Sequence, residues 1–232
     1  MSTSILDTLN KSSISNLLFS PLDSVFNAGG PRSAPLCFDE STEILCLNEN
    51  LEEVYVPISQ LTKGSIVKSF RHGYRRIDFI YKGTLVNNVN DFRSCMFVLP
   101  KNETMTKDLI ITGGHSILVD NMSEKENAKN LNYFGGHKFE IDSKQLLLAG
   151  ASSKFIPLQD TNVHTYYHFV LENEGDDNVR YGVWANGVLT ETPSKDVLLN
   201  EILFHETELA NDNQLKEENT SIDKISMMSC KV

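Results

Sequence analysis

The stretch "RSAPLCFDESTEIL", Arg32 to Leu45, carries one cysteine, Cys37, just after a proline-containing, unpatterned lead-in and just before the first residues that read as a strand. A thiol at the first residue of a folded unit lies within reach of the carbonyl that precedes it. Leu36–Cys37 is therefore a candidate scissile bond, the Cys37 sulfur attacking the Leu36 carbonyl in an intramolecular N-to-S acyl shift. The product is a thioester that water or another small nucleophile can open. An amide is more stable than a thioester, so the fold must help. It has to deprotonate the thiol, give the departing nitrogen a proton and supply donors to the oxyanion, and strain in the bond would add to these.

A proton donor for that nitrogen is offered by "DLIITGGHSILVD". Two strand-like runs, Asp108–Thr112 and Ser116–Asp120, flank "GGH", and the glycine pair permits a tight turn that holds the Thr112 hydroxyl and the His115 ring on one edge. Taken alone, "TGGH" reads more readily as an ordinary surface turn. His164 and His168 in "VHTYYHFVL" have the spacing of a metal pair on a helix. On a strand they lie about 13 Å apart at ~3.3 Å per residue, too far to share one ion. No metal site and no cofactor is expected.

The elements that must position these residues are strands. From Cys37 to about Thr192 the chain consists of short runs of β-branched and aromatic residues between turn-forming clusters. The expected strands are Glu43–Leu47, Val54–Val56, Ser65–Phe70, Arg75–Val86, Cys95–Leu99, Asp108–Thr112, Ser116–Asp120, Phe155–Leu158, Tyr166–Glu172 and Gly182–Leu189. The pattern predicts a single all-β domain over residues 37–192. Residues 1–36, rich in Ser, Asn, Gly and Pro, are expected to form a flexible leader, the reading beside it being a short helix at Ser15–Leu18 docked on the core. Asn121–Asn132, "NMSEKENAKNLN", is polar without apolar period and is expected to be an exposed insertion tolerant of length change. Residues 193–232 form an acidic tail whose stretch "KDVLLNEILFHETELA" has apolar residues at helical spacing, so one helix and then a frayed, disordered end are expected.

In the order of its motifs the chain resembles the Hint superfamily, the self-processing domains shared by inteins, hedgehog autoprocessing domains and bacterial intein-like domains, and it is most similar to the Hint-domain proteins of large DNA viruses and bacteria. "CFDESTEI" is similar to the family's opening block, a nucleophilic Cys followed by Phe, with Thr42 and Ile44 at its Thr-x-Ile positions. "VPISQLTKGSIVKS" resembles the next block, "TGGH" the Thr-x-x-His block, and "YYHFVLENEGDDNVRYGVWANGVLTET" the closing block. The resemblance implies a horseshoe-like β fold. It also implies Cys37 as nucleophile, His115 as proton donor to the amide nitrogen and Thr112 as its orienting, oxyanion-side partner. His168 in the closing block, whose strands pass near the active site in such folds, is implied as an assistant by proton transfer or by positioning the bond.

The departure from the family is equally specific. Splicing inteins end in His-Asn, the Asn cyclising to cut the second junction, whereas the corresponding residues here are Glu191 and Thr192. A Glu-Thr pair forms no succinimide, so cleavage of the leader without splicing is expected. The polar, acidic tail does not resemble the apolar region that follows a hedgehog Hint core, which removes sterol transfer as well. The partners are then the chain's own N-terminal segment and water or a small nucleophile.

Composition narrows the remaining classes. The 232-residue chain has a formal net charge of -10, which opposes binding to a phosphate backbone. It has no apolar run near the ~20 residues a bilayer-spanning helix needs and no secretory signal pattern at its N-terminus. An intracellular or virion-associated location is expected. Of the four cysteines, Cys46 and Cys95 are expected to be packing residues and Cys230 a free thiol; no CxxC pair suggests zinc or redox work. Asp176 and Asp177 could serve as an assisting acid but read better as a polar hairpin loop. Two other functions fit the same residues: a cysteine peptidase acting in trans through Cys37 and His115, and an idle Hint fold serving as a binding or structural module.

Overall fold

A computed structural model describes residues 36–92, 94–200 and 202–203. The leader reading up to residue 35, the frayed end beyond residue 203 and Cys230 lie outside the described residues. Within them the chain is all-β with short helical additions. Its strands begin with β1 (Phe38–Asp39), β2 (Glu43–Leu47), β3 (Glu53–Pro57), β4 (Ile66–Lys68) and β5 (Tyr74–Val86). β6 (Met96–Leu99), β7 (Leu109–Thr112), β8 (Ser116–Val119), β9 (Glu140–Ile141) and β10 (Lys144–Leu148) follow. The last are β11 (Ile156–Pro157), β12 (Val163–Leu171), β13 (Gly182–Ala185) and β14 (Val188–Glu191).

The strands run in the order β11-β6-β7-β1-β12-β5-β4-β2-β13-β14-β8-β10-β9, with β3 beside β2. The long strand β5 joins the two halves of this array. Its first three residues pair with β4, and the stretch from Ile77 to Val86 pairs with β12, with a register shift at Val170/Leu171. The chain passes from one half to the other between β1 and β2 and again at "TGGH" between β7 and β8, two strands that lie apart in the sheet order. β12 is buried on both sides from Tyr166 to Leu171. The alternating set Thr165, Tyr167, Phe169 and Leu171 therefore does not mark a lone core face, and His168 on the other side is buried too.

Three local readings need correction. The run expected as one strand over Gly182–Leu189 is a hairpin, β13–β14, turned by Asn186 and Gly187 at φ 49° and 90°. Both residues have the positive φ that a two-residue type I′ loop demands. Short strands β9 and β10 were not legible in their sequence.

The expected insertion at Asn121–Asn132 contains an α-helix, α1 (Glu124–Tyr133), started by a capping box. Ser123 Oγ accepts the Glu126 N–H and the Glu126 carboxylate accepts the Ser123 N–H. α1 docks through polar side chains, which is why it shows no apolar stripe. The Asn130 side chain donates to the Leu146 carbonyl at 2.8 Å and accepts the Leu148 N–H at 3.0 Å, tying the helix to β10. Glu126 accepts the N–H and hydroxyl of Ser153, and these hydrogen bonds, with those from Ser123, hold its carboxyl down to about 2.

After Thr192 the chain is helical over 195–200 and 202–203, as the spacing of the tail predicts. Leu198 and Ile202 pack on Val170, Phe79 and Tyr81 of β12 and β5. Lys195 pairs with Asp78 at 2.8 Å.

Replacing Asn130 with Ala leaves a buried N–H and a buried carbonyl of β10 without partners, at ~1–3 kcal/mol for each such group. Asn130→Ala is therefore expected to lower unfolding stability by about 2–6 kcal/mol. Chemical denaturation checks this against exposed Lys129→Ala, expected within about 0.5 kcal/mol of the parent.

Candidate active site

The register of three neighbouring strands assembles the site. Phe38 of β1 pairs with Ile111 of β7 on one side and with Tyr167 of β12 on the other. One residue before Phe38, the same antiparallel registers put Cys37 across from Thr112 and across from His168. Opposed side chains of such pairs stand about 5 Å apart at Cβ and share a face. The contacts follow. The Cys37 sulfur lies 2.9 Å from His168 Nε2. The Cys37 N–H donates to Thr112 Oγ1 at 2.9 Å, and the Thr112 N–H donates to the Cys37 carbonyl at 3.0 Å.

His115 reaches the same place from the turn after β7, whose geometry is set by the His115 N–H donating to the Thr112 carbonyl at 3.0 Å. The glycine requirement here is one of space. A Cβ on Gly113 would lie 2.6 Å from the Phe92 carbonyl oxygen and 2.7 Å from the Phe97 ring. The His115 ring stands edge-on to Phe38, with centroids 4.2 Å apart. Its Nε2 is 3.1 Å from the Glu191 carbonyl oxygen. A carbonyl only accepts, so Nε2 carries the hydrogen.

Leu36, Cys37, Thr112 and His115 are fully buried and His168 nearly so. "TGGH" is thus an interior turn, contrary to the surface reading that its composition allows. Burial favours the neutral form of both imidazoles. It lowers His115 from its ordinary 6.5, against the opposing pull of the Glu191 charge and of the Glu191 and Cys37 carbonyls. It takes His168 well below 6.5, helped by the nearness of His115.

The structure separates these residues from the other candidates. His164 bridges Asp39 Oδ2 and Asp160 Oδ1, each at 3.2 Å, and takes no part in the cysteine's contacts. Among the described residues no group of three His, Cys, Asp or Glu could hold a metal ion, and no helix is long and apolar enough to cross a membrane. Cys46 and Cys95 are buried, and burial pushes the Cys46 thiol up to about 12 and raises that of Cys95. Asp176 and Asp177 lie on an exposed loop.

Sequence reasoning noted Glu191 only as a departure from a motif and missed Arg180 altogether. The two form a buried ion pair, Arg180 Nη1 to Glu191 Oε2 at 3.1 Å, beside His115. An acidic residue at the end of the otherwise uncharged run "YGVWANGVLT" was the one available signal.

No family model and no curated protein matches the chain. Among solved structures it is similar to a DnaB intein from Synechocystis sp. PCC 6803, at 10% identity and a TM-score of 0.38, over 67% of this chain and 97% of that one. It is also similar to the VidaL intein, solved as a selenomethionine variant, at 16% identity and a TM-score of 0.34, over 68% of this chain and 97% of that one.

The two histidines have a consequence for stability. Both are depressed in the folded chain, so between their folded and unfolded values the unfolded state binds more protons. Stability is fully present above 6.5, the unfolded value, and is lost as pH falls below it. The urea midpoint is expected to drop between about pH 7.5 and 5.5, and to drop less in His168→Gln. A midpoint that stays level over that window in the parent chain contradicts the assignment.

Proposed function

We propose that the protein is an autocatalytic Hint-type domain that performs an N-to-S acyl shift at Leu36–Cys37 and releases residues 1–36 through a thioester, without splicing. The observation that carries this reading is the position of Cys37. Its sulfur is 2.9 Å from a histidine nitrogen, and its own amide nitrogen, the atom that must leave, is held by the Thr112 hydroxyl.

In this mechanism neutral His168 accepts the thiol proton at Nε2, and the sulfur attacks the Leu36 carbonyl carbon. The Leu36–Cys37 C–N bond then breaks as the nitrogen takes up a proton. One proton leaves sulfur and one arrives at nitrogen, so the step is balanced. His115, in its imidazolium form, is the acid that delivers the latter and is left neutral, while His168 is left holding the thiol proton, and Thr112 orients the nitrogen to receive its proton. Water opens the thioester to give the leader a new carboxyl terminus, a small nucleophile to give its acyl derivative, and either restores the Cys37 thiol. The domain boundaries that this implies are leader 1–36, catalytic domain 37–192 and tail 193–232.

The order of the four motif blocks supports the same class of reaction. Glu191 and Thr192 at the place of the His-Asn pair support an ending at thioester cleavage. Both are buried and tied into the fold, Glu191 to Ser116 and Arg180, Thr192 to Tyr181.

Intact mass of freshly expressed protein, with and without dithiothreitol or hydroxylamine, tests the proposal. Fragments ending at Leu36 and beginning at Cys37 are expected. They should form faster with either nucleophile, be missing in Cys37→Ala, and form at least about 100-fold more slowly in His168→Ala. Full-length mass in every sample would overturn self-cleavage and favour the idle, binding-module reading.

A further inference from the structure

The Arg180–Glu191 pair is nearly inaccessible, with side chains 5% and 1% exposed. Removing two charges from water costs about as much as their attraction returns, so such a pair is a poor device for stability alone. Its contacts show what else it does. Glu191 Oε2 meets Arg180, and Glu191 Oε1 accepts the Ser116 N–H at 3.1 Å. The backbone carbonyl of the same residue accepts His115 Nε2–H at 3.1 Å. Glu191 thus grips the ring of His115 and the amide of the residue that follows it.

With Nε2 occupied, Nδ1 is the ring atom left for chemistry. It is buried and makes no hydrogen bond of standard geometry among the described residues. The Cys37 carbonyl lies near enough to the ring to favour its charged form. We infer that Glu191, anchored by Arg180, is a positioning residue for His115, fixing the ring by Nε2 so that Nδ1 serves the Cys37 backbone.

The inference rests on the cleavage reading for its consequence, while the geometry is testable without cleavage. Burial opposes the charging of His115, and three groups favour it: the Glu191 carboxylate at the end of β14, ion-paired with Arg180, the Glu191 carbonyl, and the Cys37 carbonyl ahead of β1. His168 on β12 and the Cys37 thiol complete the surroundings. Of these, Glu191 carries the negative charge that favours an imidazolium, the form able to give a proton to the departing nitrogen. Removing that charge shifts the proton-donating form to lower pH.

The test is NMR titration of the histidine ring nitrogens in the full chain carrying Cys37→Ala, which cannot cleave. In that parent, His115 is expected as the Nε2–H tautomer. Adding Glu191→Gln should move its titration to lower pH, and Glu191→Asp should restore it in part. If Glu191→Gln does not fold, the paired change Arg180→Met with Glu191→Met, which leaves no lone buried charge, serves for the same comparison. An unmoved His115 titration in a folded variant, or an Nδ1–H tautomer in the parent, overturns the inference. In chains that retain Cys37, the falling limb of cleavage rate against pH should move to lower pH in Glu191→Gln, where a merely structural role would lower the rate at all pH values alike. A parent that does not cleave refutes the cleavage reading and leaves the titration result standing.

Discussion

The site depends on the paired registers that β1 keeps with β7 and β12. β1 is only two residues long, yet it is held on both edges, and its continuation carries Cys37 between Thr112 and His168. A slip of one residue in either ladder would turn the cysteine side chain to the opposite face from its partner. The length of β12 and its nine paired positions with β5 make such a slip costly, because Tyr166 to Leu171 are buried on both faces. The precision of a 2.9 Å contact between residues 131 apart in sequence is therefore inherited from the sheet.

Burial then decides the electrostatic character of the site. Two imidazoles enclosed with a thiol and away from water are both pushed toward their neutral forms by burial, and the nearness of His115 further opposes the charging of His168. A neutral imidazole beside a thiol is suited to accepting a proton. The Glu191 carboxylate favours the charged form of the other imidazole, the form that can give a proton. His115 differs from His168 in having the Glu191 carboxylate and the Glu191 and Cys37 carbonyls to pull against burial.

Much of the surrounding structure serves to keep these parts in place through polar contacts inside the fold. The Asn186 side chain is fully buried at the β13–β14 turn, accepting the Glu43 N–H at 2.7 Å and donating to the Asp108 carbonyl at 2.7 Å. It links the hairpin to β2 and to the residue before β7. Gly187 beside it has no room for a Cβ, which would lie 2.5 Å from the Thr104 carbonyl oxygen. Asn130 does the same work for α1 and β10. The helix over 195–200 and 202–203 extends the core by laying Leu198 and Ile202 on the outer side of β5 and β12.

Local sequence by itself determined the all-β class, most strands, the Asn-Gly turn, and the chemistry available to Cys37, Thr112, His115 and His168. These are consequences of side-chain type, period-two alternation and turn stereochemistry over a few residues. α1 was hidden because it docks by Glu126 and Asn130, whose polarity reads as exposure. The split of Gly182–Leu189 into two strands was hidden because an apolar run does not show where it folds back. Only the tertiary structure decided that His168 meets the sulfur, that Thr112 holds the amide nitrogen, and that Glu191, paired with Arg180, meets the His115 ring. Those contacts depend on the register between strands that meet from opposite ends of the chain, and pairing register is a property of the whole buried sheet that no local pattern carries.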